Sequence, residues 1–159
     1  MTPNIEDLNH ADMRVRYATM QAFIEMRNTA IAILSAALVP GVEEIRWRAA
    51  ATLAWIGDAS AIPTLERASI GAGYELKYNC IWGLGQINDA AAIPALLGIV
   101  QADETESPDV RYNAALALLR LGERRYLEDA VDSDNEGTYR VAHAALAAVR
   151  WLSDQNSGT

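Results

Sequence analysis

The feature that most constrains this chain is an internal repeat. Residues 45–58, 76–89 and 110–123 align without gaps, each with a basic residue, then an aromatic one, then an apolar series. A looser copy begins at residue 15, and a degraded copy runs through residues 144–150. The basic residues of the first four copies lie 30, 31 and 34 residues apart, at Arg16, Arg46, Lys77 and Arg111. A period of this length predicts stacked supersecondary units that share one continuous core.

Each copy is predicted to contain two helices. In the second helix, apolar residues recur at helical spacing, as at Leu76, Cys80, Ile81, Leu84 and Ile87, and predict one buried face. The matching series in the other copies predict the same face. We therefore expect an all-α fold, an α-solenoid of about five stacked helix pairs. Residues 1–152 are predicted to form a single repeat domain, and residues 153–159 a flexible C-terminal tail.

The ends of the predicted helices are also marked in the sequence. Gly57, Asn88 and Gly122 follow the last apolar residue of a helix, where a left-handed backbone conformation commonly ends it. Asp58 and Asp89 come next and are expected to cap the helices that follow.

Composition narrows the classes of function. The net charge of −8 gives no long-range attraction to nucleic acid or to an anionic membrane. The acidic N-terminus lacks the features of a secretory signal, and no apolar run is long enough to span a bilayer. A single cysteine and the lack of Cys/His pairs at metal-ligand spacing predict no disulfide and no metal site. We expect a cytoplasmic protein without a cofactor.

The repeated pattern is similar to that of a known family. Ala-Ile-Pro at 61–63 and 92–94, followed by a basic residue, small apolar residues and a Gly-Asp or Asn-Asp ending, resembles the short HEAT-like repeats of the phycobilisome-lyase type. The resemblance covers nearly the whole chain and implies an α-solenoid. For function it implies less, because that fold hosts scaffolds, inhibitors, chromophore lyases and a few enzymes.

Two catalytic relatives within this resemblance do not fit the residues. Deoxyhypusine-hydroxylase-like proteins hold iron with paired His-Glu motifs, whereas here each histidine, His10 and His143, is followed by alanine. DNA-glycosylase-like HEAT proteins present a strongly basic face, and this chain is acidic.

Bilin lyases of the same type remain an alternative. They attach or remove a tetrapyrrole at a cysteine of an antenna protein, together with a partner subunit. Cys80 occupies a core position that Ala49 and Ala114 fill in other copies, so we expect a buried, unreactive thiol. The chain shows no catalytic constellation, which favours a protein without enzymatic activity.

A second line of residues runs along the repeated helices outside the core face. It carries one ring per copy at Tyr17, Trp47, Tyr78 and Tyr112, which we call the aromatic row. Aromatic residues beside Arg and Asn are typical of interface hot spots, although packing between repeats would explain the Tyr rings equally well. In designed helical-repeat proteins that this sequence resembles, the same positions form the concave binding face. The predicted protein-binding residues are Tyr17, Trp47, Arg48, Trp55, Tyr78, Asn79, Trp82, Gln86, Tyr112, Asn113 and Arg120.

We interpret the repeated basic residues as structural residues that join neighbouring copies. Asp58, Asp89 and Glu123 end the second helix of a copy, near the expected place of the next copy's basic residue. We expect a series of ion pairs between neighbouring copies.

The sequence thus predicts a protein-binding module, an adaptor, assembly factor or inhibitor that uses a concave aromatic face. Its partner is expected to be another protein, not a nucleic acid or a membrane. The alternatives are a bilin-lyase-type protein that handles a tetrapyrrole and an immunity-type inhibitor of a basic partner, which the charge of −8 would suit.

Overall fold

The helical periodicity of the repeats is expressed as a series of α-helices joined by short turns. The computed structural model describes residues 3–39, 41–102, 105–132 and 134–157, with side chains up to residue 151. Within these residues the regular structure is helical and contains no strand, which confirms the all-α prediction. A 3₁₀ turn at Ile5–Asn9 is followed by α1 (Met13–Met26), α2 (Ile31–Ala37), α3 (Glu43–Ile56), α4 (Ile62–Ser69), α5 (Tyr74–Ile87), α6 (Ile93–Gln101), α7 (Pro108–Arg120), α8 (Arg124–Val131) and α9 (Glu136–Ser157).

Contacts divide the chain into two compact units, Met1–Ala92 and Ile93–Thr159. In the first unit α1 packs on α3 and α3 on α5, while α2 packs on α3 and α4 on α5. In the second unit α6 packs on α7, α7 on α9, and α8 on α9. The single-domain boundary at residue 152 stays a prediction. Helix α9 extends over residues 153–157 of the segment predicted as a tail, and residues 158 and 159 lie outside the described residues.

The predicted core face is buried. All of its predicted residues on α5 are buried. The matching residues of α3 and α7 are buried too, except for Ile56 and Leu121, which are half-buried at the helix ends. Gly83 lets α5 approach its neighbours closely, since a Cβ there would lie 3.1 Å from Leu65 Cδ1 and 3.3 Å from the Cβ of Ala54. Small residues at the crossing therefore set the spacing of α3, α4 and α5.

The helices end and begin at the residues predicted from the sequence. Gly57, Asn88 and Gly122 all take positive φ angles, +74°, +55° and +85°. Asp58 and Asp89 each accept a hydrogen bond from the backbone N–H two residues later, at 2.9 Å, and so begin the 3₁₀ turns that lead into α4 and α6.

The first repeat ends its helix with an unfavourable residue. Arg27 stands where later repeats have Gly57 or Asn88, and it takes φ +50° and ψ −131°. This region of backbone conformation strongly favours glycine, so a side chain here is strained.

The repeated basic residues bind backbone carbonyl groups. Arg16 donates through Nη1 to the carbonyl oxygens of residues 10 and 11, at 2.7 and 3.0 Å. Arg46 donates through Nε to the carbonyl of Leu38, 3.2 Å away at the end of α2, and pairs with Glu43 on its own helix at 3.0 Å. Arg46 thereby satisfies a carbonyl oxygen that the end of α2 leaves without an intrahelical partner, and Arg16 satisfies carbonyl oxygens of the segment between the 3₁₀ turn and α1.

Arg111 makes the corresponding contact inside the second unit. It is 2% exposed and donates through Nε to the carbonyl of Val100, in the last turn of α6, at 2.8 Å. Its Nη2 donates to Thr138 Oγ1 on α9 at 3.1 Å. The carboxylates of Asp58 and Asp89, which were predicted to pair with the basic residue of the next copy, cap the helices that follow them. The ion pairs between neighbouring copies stay a prediction.

Candidate protein-binding surface

Aromatic side chains of neighbouring helices meet on one surface of the first unit. Tyr17 of α1 and Trp47 and Trp55 of α3 line the same groove. Trp55 meets Trp82 of α5 edge to face, with ring centroids 5.4 Å apart and an interplanar angle of 65°. Tyr17 is 66% exposed and Trp55 is 59% exposed, whereas Trp47 and Trp82 are half-buried. The structure thus brings together the predicted rings of α1, α3 and α5.

Tyr78 extends this aromatic character along α5. It is 37% exposed and stacks on the more exposed ring of Tyr74, with centroids 6.2 Å apart. Tyr74 is not among the predicted residues, because it belongs to the first turn of α5, ahead of the repeated pattern. Asn79 donates its amide to the carbonyl of Glu75 on the same helix at 2.8 Å, and Gln86 is half-buried.

Arg48 has a structural role at the edge of this surface. Its guanidinium carbon lies 4.3 Å from the centroid of the Trp47 ring, a cation–π contact. Its Nη1 donates to the carbonyls of Leu8 at 3.0 Å and Glu44 at 3.2 Å, which fastens the N-terminal 3₁₀ turn to α3. Burial, and then the positive charge of Arg16, lower the pKa of Arg48, while Glu44 raises it.

A groove between α1 and α3, the α1–α3 groove, forms part of this surface. Its volume is about 360 Å³, and it is lined by Met13, Arg16, Tyr17, Met20, Trp47, Arg48 and Trp55. The contributions of Met13, Met20 and Arg16 were not predicted, because the predicted line follows single helices and a groove is formed by two. The spacing of Met13, Tyr17 and Met20 along one face of α1 was the available signal.

The second unit carries the remaining predicted residues. Tyr112 and Asn113 are half-buried and Arg120 is exposed. Asn113 donates its amide to the carbonyl of Asp109 on its own helix at 2.8 Å, as Asn79 does in the first unit. Among the described side chains of α9, Trp151 is 62% exposed, a large aromatic that the repeat pattern did not mark.

The described residues contain no group of three or more His, Cys, Asp or Glu residues that could hold a metal ion. Cys80 is fully buried, as predicted, and desolvation raises the pKa of its thiol to about 12. Among the described helices, none is both long and apolar enough to cross a lipid bilayer.

Family models match two parts of the chain. The model of HEAT repeats matches residues 71–150, which is half of the chain. The chain belongs to the HEAT-repeat family. The model of the PBS lyase HEAT-like repeat matches residues 45–70 of this HEAT-repeat protein. The resemblance inferred from the sequence is therefore confirmed.

Solved structures share the fold of this HEAT-repeat protein. The complex of CpcE and CpcF of phycocyanin lyase from Nostoc sp. PCC7120 matches 89% of the chain with a TM-score of 0.61 and 21% identity. Human deoxyhypusine hydroxylase in complex with glycerol matches 83% of it with a TM-score of 0.65 and 26% identity. The matches cover 62% and 47% of those chains, so this protein spans less than two thirds of either. No curated protein sequence matches it.

Proposed function

We propose that this HEAT-repeat protein is a non-catalytic protein-binding module whose binding surface is formed by α1, α3 and α5. The observation that carries the proposal is the Trp55–Trp82 pair, in which one indole is held edge to face by its neighbour and is still 59% exposed. Tryptophan is highly buried on average, so a ring that is fixed in position and largely in water is suited to burial against a partner.

The surroundings of this pair support the same function. Tyr17 and Met13, 66% and 58% exposed, continue the apolar surface on α1, and Tyr78 continues it on α5. Clustered exposed side chains of this kind mark interaction sites more often than isolated ones do. A structural neighbour, the complex of CpcE and CpcF, is an assembly of two proteins that includes this fold, which gives the proposal further support.

Site-specific photo-crosslinking in an extract of the producing cells tests the proposal. A photoreactive amino acid replaces Trp55 or Trp82 in separate variants, and a third variant carries it in place of Ile70. Ile70 is 80% exposed, belongs to the same unit, and lines a different cavity with residues of α2 and α4. We expect one discrete cross-linked protein from the two Trp positions and none from position 70. Equal products at all three positions, or none at the Trp positions, contradict the proposal.

The identity of the cross-linked protein separates an adaptor or assembly factor from an inhibitor. An enzyme whose activity falls on binding identifies an inhibitor, and components of one complex identify an assembly role.

A second candidate function is the handling of a bilin. The α1–α3 groove places two guanidinium groups beside tryptophan, tyrosine and methionine side chains, and such a lining suits a conjugated, carboxylate-bearing molecule. The match of residues 45–70 to the PBS lyase HEAT-like repeat points the same way. Titration of the purified protein with biliverdin tests this function, and a saturable shift of the bilin absorbance band that Trp55→Ala removes is the supporting result. An unchanged spectrum rejects it.

A further inference from the structure

The α1–α3 groove holds two guanidinium groups that bind backbone oxygens. Arg16 donates to two backbone carbonyls, and Arg48 donates to backbone carbonyls and, at 3.5 Å, to the Asn9 amide oxygen. In the part of the chain that the structure describes, neither guanidinium lies within ion-pair distance of a carboxylate. Glu44 acts on Arg48 at longer range. The two cations therefore repel each other inside a protein whose net charge is −8.

The rest of the groove is apolar and accessible. Met13, Tyr17 and Trp55 are each more than half exposed, and Met20 and Trp47 complete the lining. Methionine side chains adapt to apolar partners of varied shape, and aromatic rings supply rigid contact area. A groove between two helices is also the geometry in which an amphipathic helix is recognised.

We propose that the α1–α3 groove binds an acidic amphipathic segment of the partner protein, with apolar side chains against Met13, Met20 and Trp55 and a carboxylate between Arg16 and Arg48. This assignment rests on the proposed protein-binding function. The carboxylate accepts charge-assisted hydrogen bonds from two guanidinium groups and removes their mutual repulsion. Because the protein as a whole repels an acidic segment, the two arginines also fix where along the groove that segment docks.

Selection from a random displayed-peptide library tests the chemistry of the partner even while the partner itself is unidentified. The wild-type protein is expected to enrich peptides that combine apolar residues at helical spacing with Asp or Glu. Synthetic copies of the enriched peptides, each paired with a copy whose Asp and Glu are replaced by Asn and Gln, are then compared by calorimetry. We expect the acidic copy to bind about ten-fold more tightly or better.

Variants of the protein test which residues cause the preference for acidic peptides. Arg16→Gln is expected to abolish the preference for the acidic peptide and Arg16→Lys to retain part of it, because the charge remains. Arg14→Gln is the matched control, since Arg14 is exposed on the same helix but does not line the groove. Tyr17→Ser, at a position 66% exposed, should weaken the acidic and neutral copies alike. Melting curves of each variant check that the fold is intact.

The outcomes separate this inference from the proposed function. Enriched peptides that are neutral or basic, or an equal effect of Arg14→Gln and Arg16→Gln, overturn the acidic-segment assignment and leave protein binding in place. No enriched peptide, together with no cross-linked protein from positions 55 and 82, overturns both. Biliverdin binding in the groove without any peptide binding assigns the groove to a chromophore and rejects the peptide.

Discussion

Replacing Trp55 with alanine should weaken partner binding far more than it weakens the fold. A fully buried Trp side chain covers about 250 Å², and this one is 59% exposed, so roughly 100 Å² of it is protected within the free protein. At about 25 cal/mol per Å², its loss lowers the free energy of unfolding by about 2.5 kcal/mol at most. The remaining area of about 150 Å² becomes buried in the complex and corresponds to about 3–4 kcal/mol of binding free energy.

The chain provides a closely matched control in Trp151. This residue is 62% exposed and belongs to α9 in the second unit, so Trp151→Ala removes a ring of the same size and nearly the same exposure. Both variants should show similar, modest falls in melting temperature by circular dichroism.

Calorimetry with the purified partner that photo-crosslinking identifies measures the difference in binding free energy between the two variants. Trp55→Ala should raise the Kd by at least about 30-fold, the effect of a hot-spot residue, and Trp151→Ala should leave it nearly unchanged. The reasoning is refuted if both variants weaken binding equally, or if Trp55→Ala lowers the melting temperature strongly and leaves the Kd as in the wild type.

Three further predictions concern the thiol and the backbone. In the folded protein Cys80 should not react with a disulfide reagent at pH 8, because burial raises the pKa of its thiol to about 12, and labelling should follow unfolding in denaturant; rapid native labelling would contradict this. Gly98→Ala should raise the free energy of unfolding by about 1 kcal/mol, since a Cβ there meets open space. Gly83→Ala should be less stable than Gly98→Ala, because its Cβ would lie 3.1 Å from Leu65 Cδ1; urea titration compares the two, and a more stable Gly83→Ala would contradict this. Arg27→Gly should raise the free energy of unfolding by about 1 kcal/mol in the same titration, because glycine adopts this backbone conformation without strain. A lower free energy of unfolding would show that the contacts of the Arg27 side chain outweigh the strain.

The sequence was sufficient for the parts of the fold that depend on local pattern. Helical periodicity located the buried face of α5, and Gly57 and Asn88 marked helix ends that take the left-handed conformation. These features are fixed by residues close together in the chain. The repeats, their helices and their core can therefore be recovered from the sequence alone.

The roles of the repeated arginines could not be obtained in this way. Arg46 binds the carbonyl of Leu38, and a carbonyl oxygen has no signature in the sequence because every residue carries one. An acidic residue such as Asp58 is visible in the sequence, and it suggested an ion pair between copies. The α1–α3 groove was missed for a related reason, since Met13 and Trp55 become neighbours of one cavity through helix packing and not through their spacing.

The guanidinium of Arg111 affects the order in which the second unit can unfold. In a linear array of repeats, a terminal helix frays first because it has a neighbour on one side only. Here α9 provides Thr138 Oγ1 to a buried cation that also holds the last turn of α6 through the Val100 carbonyl. Detaching α9 deprives this charge of an acceptor and admits water to the α6–α7 contact. We therefore expect fraying from the C-terminal end to be coupled to loosening of the helices before it, so that the second unit unfolds as one cooperative step.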